Sequence, residues 1–363
     1  MILQPDTFFS PDYATARKRF RSAALAAEIG RAGAALDAVA LDVRGPAGEE
    51  LAIDIACIGA RRAQRVVLHT CGLHGVESFA GSAVQLAALA EPPVTPEGCA
   101  VVLVHVLNPY GMAWLRRANE NNVDLNRNFL KPGDRRERAS PLYSRLDPLL
   151  NPPTAAGPDG FPLRIVATAL RQGLAALKQT IAEGQYEFPR GLFYGGAALE
   201  AGPRLYLDWL QGSLADAGYL FALDLHTGLG RHGEETLILE PGVGATPVAG
   251  LEHALGRRLV DPAARRAPYR IRGGMGGSLP EALPGCRIDF VLQEIGTRSP
   301  LAVLRALREE NRWHHYGEGG LAHRSKQALC EALNPAAVNW RRRAVDHGLS
   351  LLRRAAAWAF GKL

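Results

Sequence analysis

Two apolar runs, "RVVLHT" (65 to 70) and "CAVVLVHVL" (99 to 107), flank the helix-like stretch "SAVQLAALA" (82 to 90). Runs so short and so little interrupted by polar residues suit strands covered on both faces, because a strand with one wet face alternates. The order strand, helix, strand favours a parallel pair joined by a crossover. A chain built around that unit is restricted to α/β sheets with helices packed on their faces. "LAIDIACI" (51 to 58), "YLFALDLHTG" (219 to 228) and "RIDFVLQEIGT" (287 to 297) read as further strands of this sheet.

Around the strands, alanine-rich helical periodicity covers roughly 13 to 36, and further helices are expected at about 164 to 183 and 204 to 217. Three more close the chain along "SPLAVLRALREE", "LAHRSKQALCEAL" and "NWRRRAVDHGLSLLRRAAAWAF". The last is basic enough to suggest a membrane-surface helix, but its apolar spacing fits a packed face. The charged, proline-rich segment 131 to 162 is too polar for a core element and reads as a surface loop. With 363 residues, 47% of them hydrophobic, and neither repeat nor linker, the sequence is read as one domain over residues 1 to 363.

Several function classes drop out. No basic start leads into a long apolar run and no stretch is suited to span a bilayer, so the expectation is a cytoplasmic protein without a membrane partner. The net charge of +6 is spread over scattered arginine clusters that lack interleaved aromatics, which argues against a nucleic-acid partner and leaves arginines free to grip an acidic substrate. Five scattered cysteines form neither a disulfide framework nor a thiolate zinc site. Cys71, three residues before a histidine, has a nucleophile reading and a packing reading.

Chemistry concentrates where the strands end. In an open α/β sheet the ligand crevice lies outside the carboxyl ends of the strands. His74 and Glu77 in "HTCGLHGVESFAGS" follow the strand at 65 to 70, His226 follows the run at 220 to 225, and Glu294 closes the run at 287 to 293. Two imidazoles and a carboxylate are the ligand set of a catalytic zinc site with an open fourth position, which leaves Glu294 available as a base. Each also has a plain reading: a solvated loop pair, a histidine satisfied by Asp224, a strand-end glutamate. The segment "LNPYGMAWLRRANENNVDLNRNF" (107 to 129) crowds Arg116, Arg117, Asn119, Asp124, Asn126 and Arg127 together without periodicity, as a binding loop or a hydrogen-bonded structural loop would.

These segments together resemble the zinc carboxypeptidase superfamily, the carboxypeptidase A-like hydrolases with their aspartoacylase and succinylglutamate desuccinylase relatives. "HGVE" is similar to the His-x-x-Glu ligand motif, "VDLNRNF" to the substrate-binding loop, "DLHTG" to the third-ligand segment and "QEIGT" to the segment of the catalytic glutamate, all in the family's order. The resemblance implies a three-layer α/β/α fold around a mixed, mostly parallel sheet. It implies Zn²⁺ on His74, Glu77 and His226, with Glu294 as general base and acid. Asp124 would orient His74, Asn126 and Arg127 would bind a substrate carboxylate, and Arg117 would steady the oxyanion, with Arg116 competing for that role or standing among the substrate contacts. The family's mobile tyrosine corresponds to Tyr269, which stands farther than usual from Gly277 and Ser278, while Arg272 takes the nearer position. Tyr194, in the glycine-rich stretch 188 to 196, is either a pocket residue or part of a turn. The implied substrate is a peptide C-terminus or an N-acyl amino acid; the rival from another class is a non-catalytic carboxylate-binding protein on the same scaffold.

Overall fold

A computed structural model describes residues 5–29, 35–130, 133–134, 136, 138–155, 159–241, 243–261 and 271–361. Eight strands form one sheet: β1 (Ala35–Arg44), β2 (Glu50–Gly59), β3 (Arg65–Cys71), β4 (Cys99–His105), β5 (Tyr219–Gly228), β6 (Glu235–Leu239), β7 (Leu259–Val260) and β8 (Arg287–Gly296). Their spatial order is β1-β2-β4-β3-β5-β8-β6-β7. β4, β3, β5 and β8 run parallel in the centre, while β1, β2 and β6 pair antiparallel with their inner neighbours. The helix Ser78–Ala90 crosses from β3 to β4, as the strand, helix, strand pattern requires.

Strand pleating sorts the apolar residues into two layers. Val66, Leu68, Val102, Val104, Leu220 and Ala222 face a core closed by Tyr206 and Leu210 of the helix Ala201–Ser213 and by Leu214, which caps it. Their neighbours Val67, Val101, Leu103, Phe221 and Leu223 face the opposite core, closed by Phe20, Leu86, Leu251 and Leu352 from four other helices. Full burial of each such side chain stabilises the fold by roughly 1.5 to 3 kcal/mol. A strand buried on both faces gains this at every position, which is why the continuous runs occupy the centre of the sheet. Helices on both faces give the three-layer architecture expected. Among the described residues no helix is long and apolar enough to cross a membrane.

The edges depart from the sequence reading. Helix 13 to 36 ends at Ile29, and Ala35–Arg44, "ALDAVALDVR", is an edge strand whose outer positions alternate with solvent. Its alanines favour a helix locally, yet pairing with β2 decides the conformation. The segment read as a surface loop contains the helix Pro141–Leu150, whose Tyr143, Leu146, Leu149 and Leu150 pack on Phe161, Ile165, Leu177 and Ile181. The helix expected at 164 to 183 is two, Phe161–Gln172 and Leu174–Ala182, broken at Gly173 with φ 84°.

Candidate metal centre

β3 delivers the chain to the crevice at Cys71, and the loop that follows is fixed by two backbone bonds: Gly75 N–H donates to Arg117 O at 3.1 Å and Val76 N–H to Arg116 O at 2.9 Å. Gly75 packs directly on Gly111, where a Cβ would stand 2.0 Å from the Gly111 carbonyl carbon. That contact holds His74 and Glu77 over the strand ends. His226 comes from the end of β5, in register with Glu294 of the adjacent β8.

His74, Glu77 and His226 are buried, and one donor atom from each lies within 4.8 Å of the others. His74 Nδ1 is 3.1 Å from His226 Nδ1 and 3.0 Å from Glu77 Oε1, and His226 Nδ1 is 3.4 Å from Glu77 Oε2. Both outer nitrogens are held by buried carboxylates, His74 Nε2 by Asp124 at 3.0 Å and His226 Nε2 by Asp224 at 2.6 Å. Asp224 in turn accepts from Thr70 Oγ1 at 2.7 Å, and Glu77 from the Thr227 N–H at 2.9 Å. Two imidazoles with inner edges converging and outer edges held by carboxylates, plus one glutamate, fit a zinc ion with an open position.

Charge is unevenly distributed among these buried groups. Burial alone would raise Glu77, but His74, His226 and Arg117 outweigh it and hold the carboxyl far below its ordinary range. Asp124 is likewise buried yet held low by Arg117, His74 and Arg127. Burial opposes charge on His226, and Asp224 overrides it and raises the imidazole. Glu294 goes the other way: burial, with the negative Glu77 beside it, pushes it up to about 7 against the pull of His226 and Arg117. Its Oε2 also accepts the Leu229 N–H at 3.3 Å. Neighbouring carboxyls thus differ in proton affinity, the condition for dividing ligand and base roles.

These groups open into a cleft of about 460 Å³ that brings together His74, Glu77, His226, Glu294, Arg117, Asn126 and Arg127. Arg117 donates from Nη1 to Glu77 at 3.0 Å and from Nε to Asp124 at 3.0 Å, and its Nη2 lies 2.8 Å from His74 Nε2. Arg127 reaches the cleft but commits a donor from each nitrogen, Nε (3.0 Å) and Nη2 to the Ala182 carbonyl and Nη1 to that of Asn126 (2.8 Å). Arg116 does not belong here, contrary to the sequence expectation of a substrate contact. It is buried behind the loop, donating to Glu310 at 3.1 Å, Asn122 at 2.8 Å and Asn311 at 3.2 Å. Adjacent residues on an irregular backbone point apart, and nothing in "RR" tells which faces the crevice. Tyr269 lies outside the described residues. Tyr194 packs against the core beneath the site and contributes its carbonyl to the Asp124 N–H at 2.7 Å. Arg272 pairs with Glu183 at 3.1 Å. Cys71 is fully buried against Gly81 and burial raises its thiol, so its role is packing.

Two participants escaped sequence reasoning. Asp224 was legible only as a neighbour that satisfies His226, although "DLH" puts both side chains on one face of a strand. Glu240, at the end of β6, lines the cleft and accepts the Gly276 and Gly277 N–H groups at 2.9 Å each. Nothing in its sequence context sets it apart.

The fold is that of the carboxypeptidase-like α/β proteins. Thrombin activatable fibrinolysis inhibitor is similar over 97% of this chain and 75% of its own, at 10% identity and a TM-score of 0.51. Carboxypeptidase A from Helicoverpa armigera matches over 95% and 73% (13% identity, TM-score 0.45), and a succinylglutamate desuccinylase from Silicibacter sp. over 79% and 68% (14%, 0.37). The chain belongs to the family described as "Protein of unknown function (DUF2817)", which matches residues 9–347. A search of curated proteins finds no match.

Proposed function

We propose that this protein is a zinc-dependent hydrolase of an amide or peptide bond next to a free carboxylate. The observation that carries this reading is the convergence of three buried donors whose outer nitrogens are carboxylate-bound, with a fourth buried carboxyl, Glu294, in the same cleft. When bound on His74, Glu77 and His226, zinc supplies Lewis acidity to a carbonyl and to water. Glu294 takes the proton of the attacking water and passes it to the leaving nitrogen. Arg117 lines the cleft beside the ligand set and brings its positive charge to the developing oxyanion. Asn126 and the remaining Arg127 donors receive the substrate carboxylate. The substrate is a small peptide or an N-acyl amino acid.

The test is metal analysis of the purified protein followed by hydrolysis of a panel of peptides and acyl amino acids by wild type and Glu294→Gln. The expected outcome is bound zinc and a loss of about a hundredfold or more in kcat for the variant, as general-base removal gives. Undiminished turnover in Glu294→Gln would remove Glu294 from the chemistry. Zinc binding without hydrolysis of any substrate would instead make the protein a carboxylate-binding scaffold.

A further inference from the structure

Phe193 adopts φ 57°, in the left-handed region that a bulky residue enters only under constraint. Its neighbours supply the constraint. Leu192 is held on both sides, its N–H donating to Asn151 Oδ1 at 2.9 Å and its carbonyl accepting Tyr143 Oη–H at 2.6 Å. Tyr194 is tied by its carbonyl to the Asp124 N–H, and Phe193 gives its own carbonyl to the Gln185 N–H at 3.1 Å. A glycine would take this conformation without strain, and Gly191, Gly195 and Gly196 stand close by. The side chain present is a phenyl ring, and the enforced turn throws it between two arginines of the cleft. The Arg117 guanidinium carbon is 5.3 Å from the ring centroid and that of Arg127 is 5.8 Å, both within cation–π range.

From this geometry we infer that Phe193 is a positioning residue, whose ring holds the guanidinium of Arg117 against the ligand cluster and steadies that of Arg127 beside it. The inference rests on the role given to Arg117 above. Arg117 is long and reaches the site from an irregular segment, so hydrogen bonds on its edges leave its flat faces to be supported. A ring 5.3 Å from the guanidinium carbon adds apolar surroundings on the side away from the bonds to Glu77 and Asp124, and a less polar surrounding strengthens such bonds. The ring also touches apolar residues of two helical clusters, and a pure packing role is the reading to be separated.

Phe193→Leu keeps apolar volume without a π face, and Phe193→Tyr keeps the face. Kinetics on the best substrate of the panel are read beside the solvent-exchange rate of the Arg117 Nε–H in the zinc-loaded protein, which rises when the guanidinium leaves Asp124 and Glu77. The expected result is a fall in kcat of about tenfold for Leu, the scale of a partly desolvated cation–π contact. Tyr is expected to retain kcat within about twofold, and the exchange to stay slow in wild type and Tyr and to quicken about tenfold in Leu. A Leu variant with wild-type kcat, or Leu and Tyr variants equally impaired, would overturn the inference. Should wild type hydrolyse nothing, the hydrolase reading fails separately. The exchange rate still decides then: exchange as slow in Leu as in wild type overturns the positioning role, and exchange quickened in Leu and slow in Tyr supports it.

Discussion

His74 and His226 each offer an inner nitrogen to the centre and an outer one to a carboxylate, so ring orientation is settled before any ligand arrives. Asp224→Asn leaves the shape but exchanges an acceptor for an amide that can present a donor to Nε2. Zinc affinity is expected to fall tenfold to about a hundredfold, the usual penalty for losing an outer partner, measured by competition with a chromophoric chelator. Asp124→Asn should cost at least as much, because Asp124 also accepts from Arg117 and from the Asn126 N–H at 3.0 Å. Wild-type affinity in both variants would show the outer carboxylates to be incidental. His74, Glu77, His226 and Glu294 were legible because ionisable groups after buried strands converge at one rim. Arg116 was misplaced and Phe193 overlooked for a common reason. Side-chain direction on irregular backbone depends on tertiary hydrogen bonds, and local sequence does not encode those.

At the scale of elements, the ligand loop is only as good as its seat on the short helix Pro109–Ala113. Gly75→Ala would press a methyl group into the Gly111 backbone, where neither chain segment has a flexible end to move aside. The expected result is a variant with lowered Tm and zinc affinity reduced together, followed by thermal unfolding with and without added zinc. A variant with normal Tm and normal zinc binding would contradict the tight seat. Central elements were read correctly because burial on both faces writes a continuous apolar run into the sequence. β1 and the helix Pro141–Leu150 were not, since an edge strand needs only one apolar face and a short peripheral helix packs through four residues. In both places tertiary contacts outweigh local preference.

Across the whole molecule, His69 and His105 are fully buried away from the cleft, and His314 and His315 are half-buried. Burial lowers His69 to about 4 and His105 to about 3, and burial with Arg116 nearby lowers His314 to about 3 and His315 to about 4. Their folded values lie below the unfolded value near 6.5, so between pH 6.5 and 4 the unfolded chain binds more protons and stability falls as the solution is acidified. Glu294, pushed up to about 7, takes up its proton earlier in the folded chain and acts in the opposite sense in this window, one carboxyl against four rings. The Tm of the zinc-loaded protein is expected to be nearly level above pH 7 and to drop steadily from pH 6.5 to 5, and a level profile through pH 5 would contradict these assignments. The in-register pairing of His226 with Glu294 has a different reach. The distance between the proposed metal ligand and the proposed base is written into one rung of a hydrogen-bonded ladder between neighbouring strands, while the cleft walls hang from loops and strand tips. Descendants of this chain are therefore free to remodel what enters the cleft while the spacing at its floor stays frozen, and variation in specificity should accumulate in the walls first.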